Sequence, residues 1–221
     1  AGLHTKAYRY FDGTNWGDWT DSNTYNVSKN GIYKVEVRDA LENTISKEFT
    51  ISHIDNEKPT ISLSYDDNSW SLDKTITVTA SDTGAGLHSK AYRFSLDGIN
   101  WSNWINSNTY SITANGTYYI GVRDMLGNSD IKSITIAYVD KIKPSVILNY
   151  DDSTWAEEIT VIVNATDKES GLAVNAYRYF NGSSWSDWTS LNTYTIKTNG
   201  SYKLEVRDIL NNTESISFDI T

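Results

Sequence analysis

The sequence predicts an all-β chain of tandem seven-stranded β-sandwiches arranged as an elongated rod, and three observations carry that prediction. The words DGTNWGDWTDSNTYNVSKNGIYKVEVRD (12–39), DGINWSNWINSNTYSITANGTYYIGVRD (97–124) and NGSSWSDWTSLNTYTIKTNGSYKLEVRD (181–208) recur at an offset of 84 or 85 residues. Apolar and polar residues alternate over short stretches rich in β-branched and aromatic side chains, the period of a strand. Turn words rich in Asp, Asn and Gly separate these stretches, and no helical period appears.

A period this long exceeds the roughly 20 to 50 residues of stacking solenoid units, so each copy is expected to fold as its own module. KPTISLSYDDNSWSLDKTITVTASD (58–82) matches KPSVILNYDDSTWAEEITVIVNATD (143–167), and nothing equivalent stands in the first copy. The expected division is a partial repeat at 1–54 lacking its first two strands, a full repeat at 55–140 and another at 141–221.

In order along the second copy, the expected strands are TISLSY, TITVTAS, AYRFS, a piece around NWSNW, TYSIT, TYYIGVRD and IKSITIAY. The two-residue period puts Tyr118, Ile120 and Val122 on the inner face, repeated as Tyr33, Val35, Val37 and as Tyr202, Leu204, Val206. On the outer face, Glu36 and Glu205 are expected to meet Arg9 and Arg178 in cross-strand ion pairs, each worth under about 1 kcal/mol.

Hydrophobic residues make up 38% of the chain, with 8 Trp and 15 Tyr, enough for aromatic-rich cores. With no cysteine, disulfides, thiolate metal sites and Cys nucleophiles are excluded. A net charge of −9 with acidic residues spread over every copy argues against nucleic acid, which needs clustered Lys and Arg. No run approaches the ~18 apolar residues of a membrane span, so no membrane insertion of this segment is expected.

The Gly-x-Tyr-x-(Ile/Val/Leu)-x-Val-Arg-Asp words followed by Gly-Asn or Asn-Asn, together with Asp-x-x-x-Pro opening each full copy (Asp55 to Pro59, Asp140 to Pro144), carry a family resemblance. The chain resembles tandem bacterial immunoglobulin-like or fibronectin type III-like repeats of extracellular surface proteins. The resemblance implies a structural spacer or stalk of an adhesin-type, cell-surface or secreted protein, projecting a functional head domain, with neighbouring repeats as its main partners. The alternatives are a module binding carbohydrate or a host surface protein through exposed Trp residues, or an accessory module of an extracellular glycosidase or phage fibre.

Two sets of residues are candidate sites. Each copy carries two Trp three apart, and an unbroken strand would turn such a pair to opposite faces. Trp16, Trp101 and Trp185 are therefore expected inside, and Trp19, Trp104 and Trp188 partly exposed as carbohydrate-binding candidates. The second set is acidic. Alternating strand directions bring Asp140 of the linker, Asp167 after the second strand, and Asp208 with Asn212 in the last turn to one pole of the third copy. Asp66 and Asp67 of the second copy are expected to face them, and such a ligand set suits Ca²⁺, which takes roughly 6 to 8 oxygens. Asp and Asn also fill turns for their own backbone hydrogen bonds. At the first joint Asp55, Asp82, Asp124 and Asn128 correspond, with lower affinity expected because the first copy has no YDD word.

No enzyme is expected. The three histidines, His4, His53 and His88, form no ligand pattern and are expected in solvated loops, and no nucleophile or phosphate-binding motif occurs.

Overall fold

The computed structural model describes all residues, 1–221. It is all-β, with fifteen strands in five antiparallel three-stranded sheets and no helix. In the first copy β1 (Leu3–Phe11), β2 (Gly31–Asp39) and β3 (Thr44–Ile51) form a single sheet in that order.

The second copy contributes β4 (Thr60–Ser64), β5 (Lys74–Ser81), β6 (Leu87–Ser95), β7 (Thr109–Ile112), β8 (Gly116–Asp124) and β9 (Ser129–Ile136). Its sheets are β4-β5-β7 and β6-β8-β9. The third copy repeats this with β10 (Ser145–Asn149), β11 (Ile159–Thr166), β12 (Leu172–Phe180), β13 (Thr193–Ile196), β14 (Gly200–Asp208) and β15 (Thr213–Ile220), in sheets β10-β11-β13 and β12-β14-β15.

A full copy thus has six strands where the sequence suggests seven. The segment around Trp101 makes only isolated bridges to β6, Ser95 with Trp101 and Tyr92 with Ile105. A side chain explains part of the interruption: Phe94 donates its N–H to Ser102 Oγ at 2.9 Å, where a ladder would offer a carbonyl. Tyr179 does the same to Ser186 Oγ at 3.0 Å.

The inner faces follow the two-residue alternation. Ile61, Ile76, Val78 and Ile112 from one sheet share a core with Tyr118, Ile120, Val122 and Ile136 from the other. In the third copy Val161, Val163 and Ile196 meet Tyr202, Leu204 and Val206 in the same way. In the first copy Tyr33 is buried but Val35 and Val37 are only half-buried, since no second sheet lies over them.

One hydrogen bond recurs near the start of the inner strand. The hydroxyls of Tyr33, Tyr118 and Tyr202 donate to the carbonyls of Lys29, Ala114 and Thr198, each four residues upstream, at 2.8, 2.6 and 2.6 Å. The hairpin that follows needs a left-handed residue, which is Gly127 in the second copy (φ 93°) but Glu42 and Asn211 in the others (φ 67° and 66°).

Candidate functional site: acidic joints and an arginine–tryptophan ladder

Each hairpin after the inner strand is locked by an Asp–Asn pair. Asp124 Oδ1 accepts the N–H of Leu126 and of Asn128 at 2.9 and 2.8 Å, and Oδ2 accepts Asn128 Nδ2 at 2.6 Å. Asp208 and Asn212 repeat this at 2.8 Å for the backbone and 2.5 Å for the side chain. The same amide groups then reach the incoming linker, Asn128 Nδ2 to the Asp55 carbonyl at 3.4 Å and Asn212 Nδ2 to the Asp140 carbonyl at 3.3 Å. The last turn of a copy thereby fixes the linker that feeds the same copy.

The linker Asp in turn holds the loop after the second strand. Asp55 Oδ2 accepts the Ala85 N–H at 2.6 Å, and Asp140 Oδ2 accepts the Ser170 N–H at 3.1 Å. In that loop Asp82 Oδ1 accepts from Gly84 and Gly86, and Asp167 Oδ1 from Glu169 and Gly171. These bonds bring three carboxylates together twice: Asp55, Asp82 and Asp124 at one joint, and Asp140, Asp167 and Asp208 at the other, with one oxygen of each within 4.8 Å of the rest. Asp124, Asp140 and Asp208 are fully buried.

Burial works against ionisation of Asp124, but the Asn128 amide and the N–H groups of Gly127, Asn128 and Leu126 together outweigh it and hold its pKa below the ordinary value. Asp140 behaves alike, with burial opposed by donors from Ser170 and Ile142. Turn geometry explains each carboxylate separately; it does not require three of them in one place, where like charges repel.

The second joint contains a fourth carboxylate that sequence comparison missed. Glu169 has its pKa raised, first by burial, then by a hydrogen bond to Asp140 and by the charges of Asp140 and Asp167. Beside it Ser170 is buried and contributes to lowering the Asp140 pKa, yet its hydroxyl has no hydrogen-bond partner of ordinary geometry. At the first joint the position of Glu169 is Gly84, where a Cβ would lie 2.3 Å from the Asp55 carboxyl carbon. The two joints therefore share three carboxylates and differ in how the linker Asp is packed.

Asp66 and Asp67 do not join the cluster. Asp66 Oδ1 closes a local turn on the Asn68 N–H at 3.1 Å. Their loop does reach the joint, but through residues further on: Ser71 donates its N–H to the Tyr138 carbonyl and accepts the Asp140 N–H, both at 3.0 Å, and Trp70 meets Tyr138 edge-on. The loop spends its backbone on the linker, so its carboxylates stay in their own turn. Since neither Asp66 nor Asp67 belongs to the second joint, the missing YDD word of the first copy gives the first joint no fewer clustered carboxylates.

The Trp pairs form a ladder with arginine. Arg9 stacks on Trp16 and Trp19, and Arg38 on Trp19, at 4.3 to 4.8 Å from the ring centroids. Arg93 lies over Trp101 and Trp104 with Arg123 on Trp104 at 4.3 to 4.6 Å, and Arg178 over Trp185 and Trp188 with Arg207 on Trp188 at 4.2 to 4.7 Å. Both Trp of a pair are thus on one outer face, and none is core; Trp16 is 38% exposed. The odd-spacing expectation fails because the residues between the two Trp are not in a pleated ladder.

Trp19, Trp104 and Trp188 each have two guanidinium groups within 4.8 Å of the ring centroid, so arginine already occupies ring surface on which a sugar would need to stack. The expected ion pairs are present inside this ladder, Arg9 with Glu36 and Arg178 with Glu205. The Glu side chains are only 15% and 17% exposed, less than an ordinary surface pair. His4 and His88 lie in strands β1 and β6, not in loops, and their Nδ1 atoms accept the N–H groups of Lys6 and Lys90. His53 stays exposed beside Ser52.

No protein-family model matches this chain, and no curated protein matches it. Among solved structures it is similar to a 1.5-MDa bacterial ice-binding adhesin described for host cell surface retention, with 14% identity, TM-score 0.42, and coverage of 97% of this chain and 84% of that one. It is also similar to a tetra-tandem repeat in the extending region of a large adhesion protein, with 14% identity, TM-score 0.23, and coverage of 97% and 66%. A third likeness is to a Bacteroides ovatus protein of a mixed-linkage glucan utilization locus, in complex with a mixed-linkage heptasaccharide, with 16% identity, TM-score 0.17, and coverage of 97% and 60%. Scores this low carry no functional inference.

Proposed function

We propose that this chain is a run of immunoglobulin-like or fibronectin type III-like modules working as a spacer of a cell-surface or secreted protein, with cation-stiffened joints and no catalytic role. The strand order supports the module type: first, second and fifth strands in one sheet, third, sixth and seventh in the other if the bridged Trp segment counts as the fourth. The tyrosine hydroxyl bonded to the backbone just upstream of the inner strand is a further mark of such Greek-key sandwiches.

The observation that carries the functional reading is the repeated joint. Linker, loop and hairpin each place one carboxylate at the same point in both full copies, and the hairpin Asn ties the linker down. Calcium fits this set: hard oxygen ligands, irregular geometry, and in extracellular modules dissociation constants of about 10⁻⁴ to 10⁻³ M. The donors would be Asp55, Asp82 and Asp124 at the first joint, and Asp140, Asp167 and Asp208 at the second.

The test is calorimetric titration with Ca²⁺ beside thermal melts with and without EDTA. Heat from two sites is expected, with a stabilisation of about 2.7 kcal/mol once the ion reaches a hundredfold excess over its dissociation constant. Asp140→Asn should remove the second-joint heat and leave the first. No heat together with an unchanged melt would discard the cation. Small-angle scattering supplies the spacer test, since maximal dimensions of a single collapsed globule would discard the extended arrangement.

A further inference from the structure

At the outgoing pole of each of the first two copies, one asparagine grips the chain that leaves. Asn30 Nδ2 donates to the Ile54 carbonyl at 2.8 Å and Asn30 Oδ1 accepts the Ile54 N–H at 2.7 Å. Asn115 grips Val139 in the same two directions, both at 2.8 Å. In the second copy the other flank of Val139 is held by Ser71, which pairs in parallel with it through Tyr138 and Asp140. Val139 is buried in that copy's core, and Tyr138, at φ 64°, turns the backbone against Trp70.

The third copy has every fixed part of this device. Asn199 corresponds to Asn115, Trp155 to Trp70 and Ala156 to Ser71. Together with Ile159 and Thr221 they line one concavity. Trp155 is 100% exposed, Asn199 makes no hydrogen bond, and neither the N–H nor the carbonyl of Ala156 is paired.

We propose that this pole is a docking notch for the linker segment of another repeat, in which an aromatic residue precedes an apolar residue and then Asp. The second copy defines the whole occupant, and the first copy repeats the asparagine grip on its apolar residue, Ile54, and the Asp that follows. Its apolar residue exchanges two hydrogen bonds with the Asn199 amide, its flanking backbone pairs in parallel with Ala156, and its aromatic residue covers Trp155. The inference rests on the tandem-module reading but not on the cation.

The experiment appends Tyr-Val-Asp-Lys-Ile, the sequence of residues 138–142, after Thr221, the counterpart of Ala137. Hydrogen–deuterium exchange is followed in EDTA, so that no cation contributes. The Ala156 amide and that of the appended Val should exchange about tenfold or more slowly than in the unextended chain and a free peptide respectively. Asn199→Ala should remove most of that protection and leave the melt of the unextended chain unchanged. Random-coil exchange of the tail, or protection indifferent to Asn199→Ala, overturns the notch. Either result would leave the calcium titration of the two internal joints unaffected, so the two ideas fail separately.

Discussion

Gly121→Glu should stabilise the second copy. Arg93 Nε is buried without a hydrogen-bond partner, while its counterparts in the other copies donate to a glutamate: Arg9 to Glu36, and Arg178 to Glu205 at 2.6 Å. The strand register puts Gly121 opposite Arg93 where those glutamates stand. Giving a buried donor an acceptor recovers about 1 to 3 kcal/mol, and replacing a strand glycine adds about 0.5 to 1 kcal/mol.

Against this, a Cβ at Gly121 would lie 2.9 Å from Arg93 Nε and 3.1 Å from its Cγ, so the flexible Arg must yield by a few tenths of an ångström. Ordering a Glu side chain costs up to about 2 kcal/mol. The balance is a gain of about 1 kcal/mol, which for a unit of this size moves its melting temperature up by about 4 to 8 °C. Differential scanning calorimetry of the full chain reads the shift, and the double variant with Arg93→Met tests its origin. A melt that stays put or falls, or a cycle coupling under about 0.5 kcal/mol, would refute the unpaired-donor reasoning.

Three further outcomes are expected. Glu42→Gly should raise first-copy stability by about 1 kcal/mol by relieving a left-handed backbone, less the small worth of its exposed pair with Arg38, as read from denaturant unfolding. Ser102→Ala should cost about 0.5 to 1.5 kcal/mol by removing the acceptor of the Phe94 N–H, while Ser102→Thr should recover most of it in the same assay. Tyr110 and Tyr179 are each pushed up to about 12, by burial first and then by the neighbouring Tyr92 and Tyr177, so a tyrosinate absorbance rise worth two groups should appear near that pH. Since their folded values exceed the unfolded value of about 10, their contribution is complete below that pH and is lost as pH climbs through about 12.

The alternation of Tyr118, Ile120 and Val122 was legible because one buried face leaves a period-two strand no other register. Asp140, Asp167 and Asp208 could be brought together from sequence because strand direction alone decides which loops share a pole. The same reasoning placed Asp66 and Asp67 only to the nearest loop, and could not see that Trp70 and Ser71 would be the residues touching the linker. Trp19, Trp104 and Trp188 are partly exposed as the sequence suggests, but Trp16, Trp101 and Trp185 are not interior, because no continuous pleat crosses a segment whose pairing is interrupted, in part by Ser102 Oγ. Glu169 escaped notice for a different reason: repeats are read for what they share, and Gly84 and Glu169 differ. The asparagine before each Gly200-type glycine was visible at a fixed place in all three copies, but its partner lies 24 residues further on and only the fold brings them together.

Val139 is sealed into the core of the second copy, and the next residue, Asp140, is sealed into the third. A single peptide link separates two interiors, leaving no slack to absorb a pull. Tension along the chain would pass from one module straight into the next, and loosening either would tug on its neighbour before any tether could pay out.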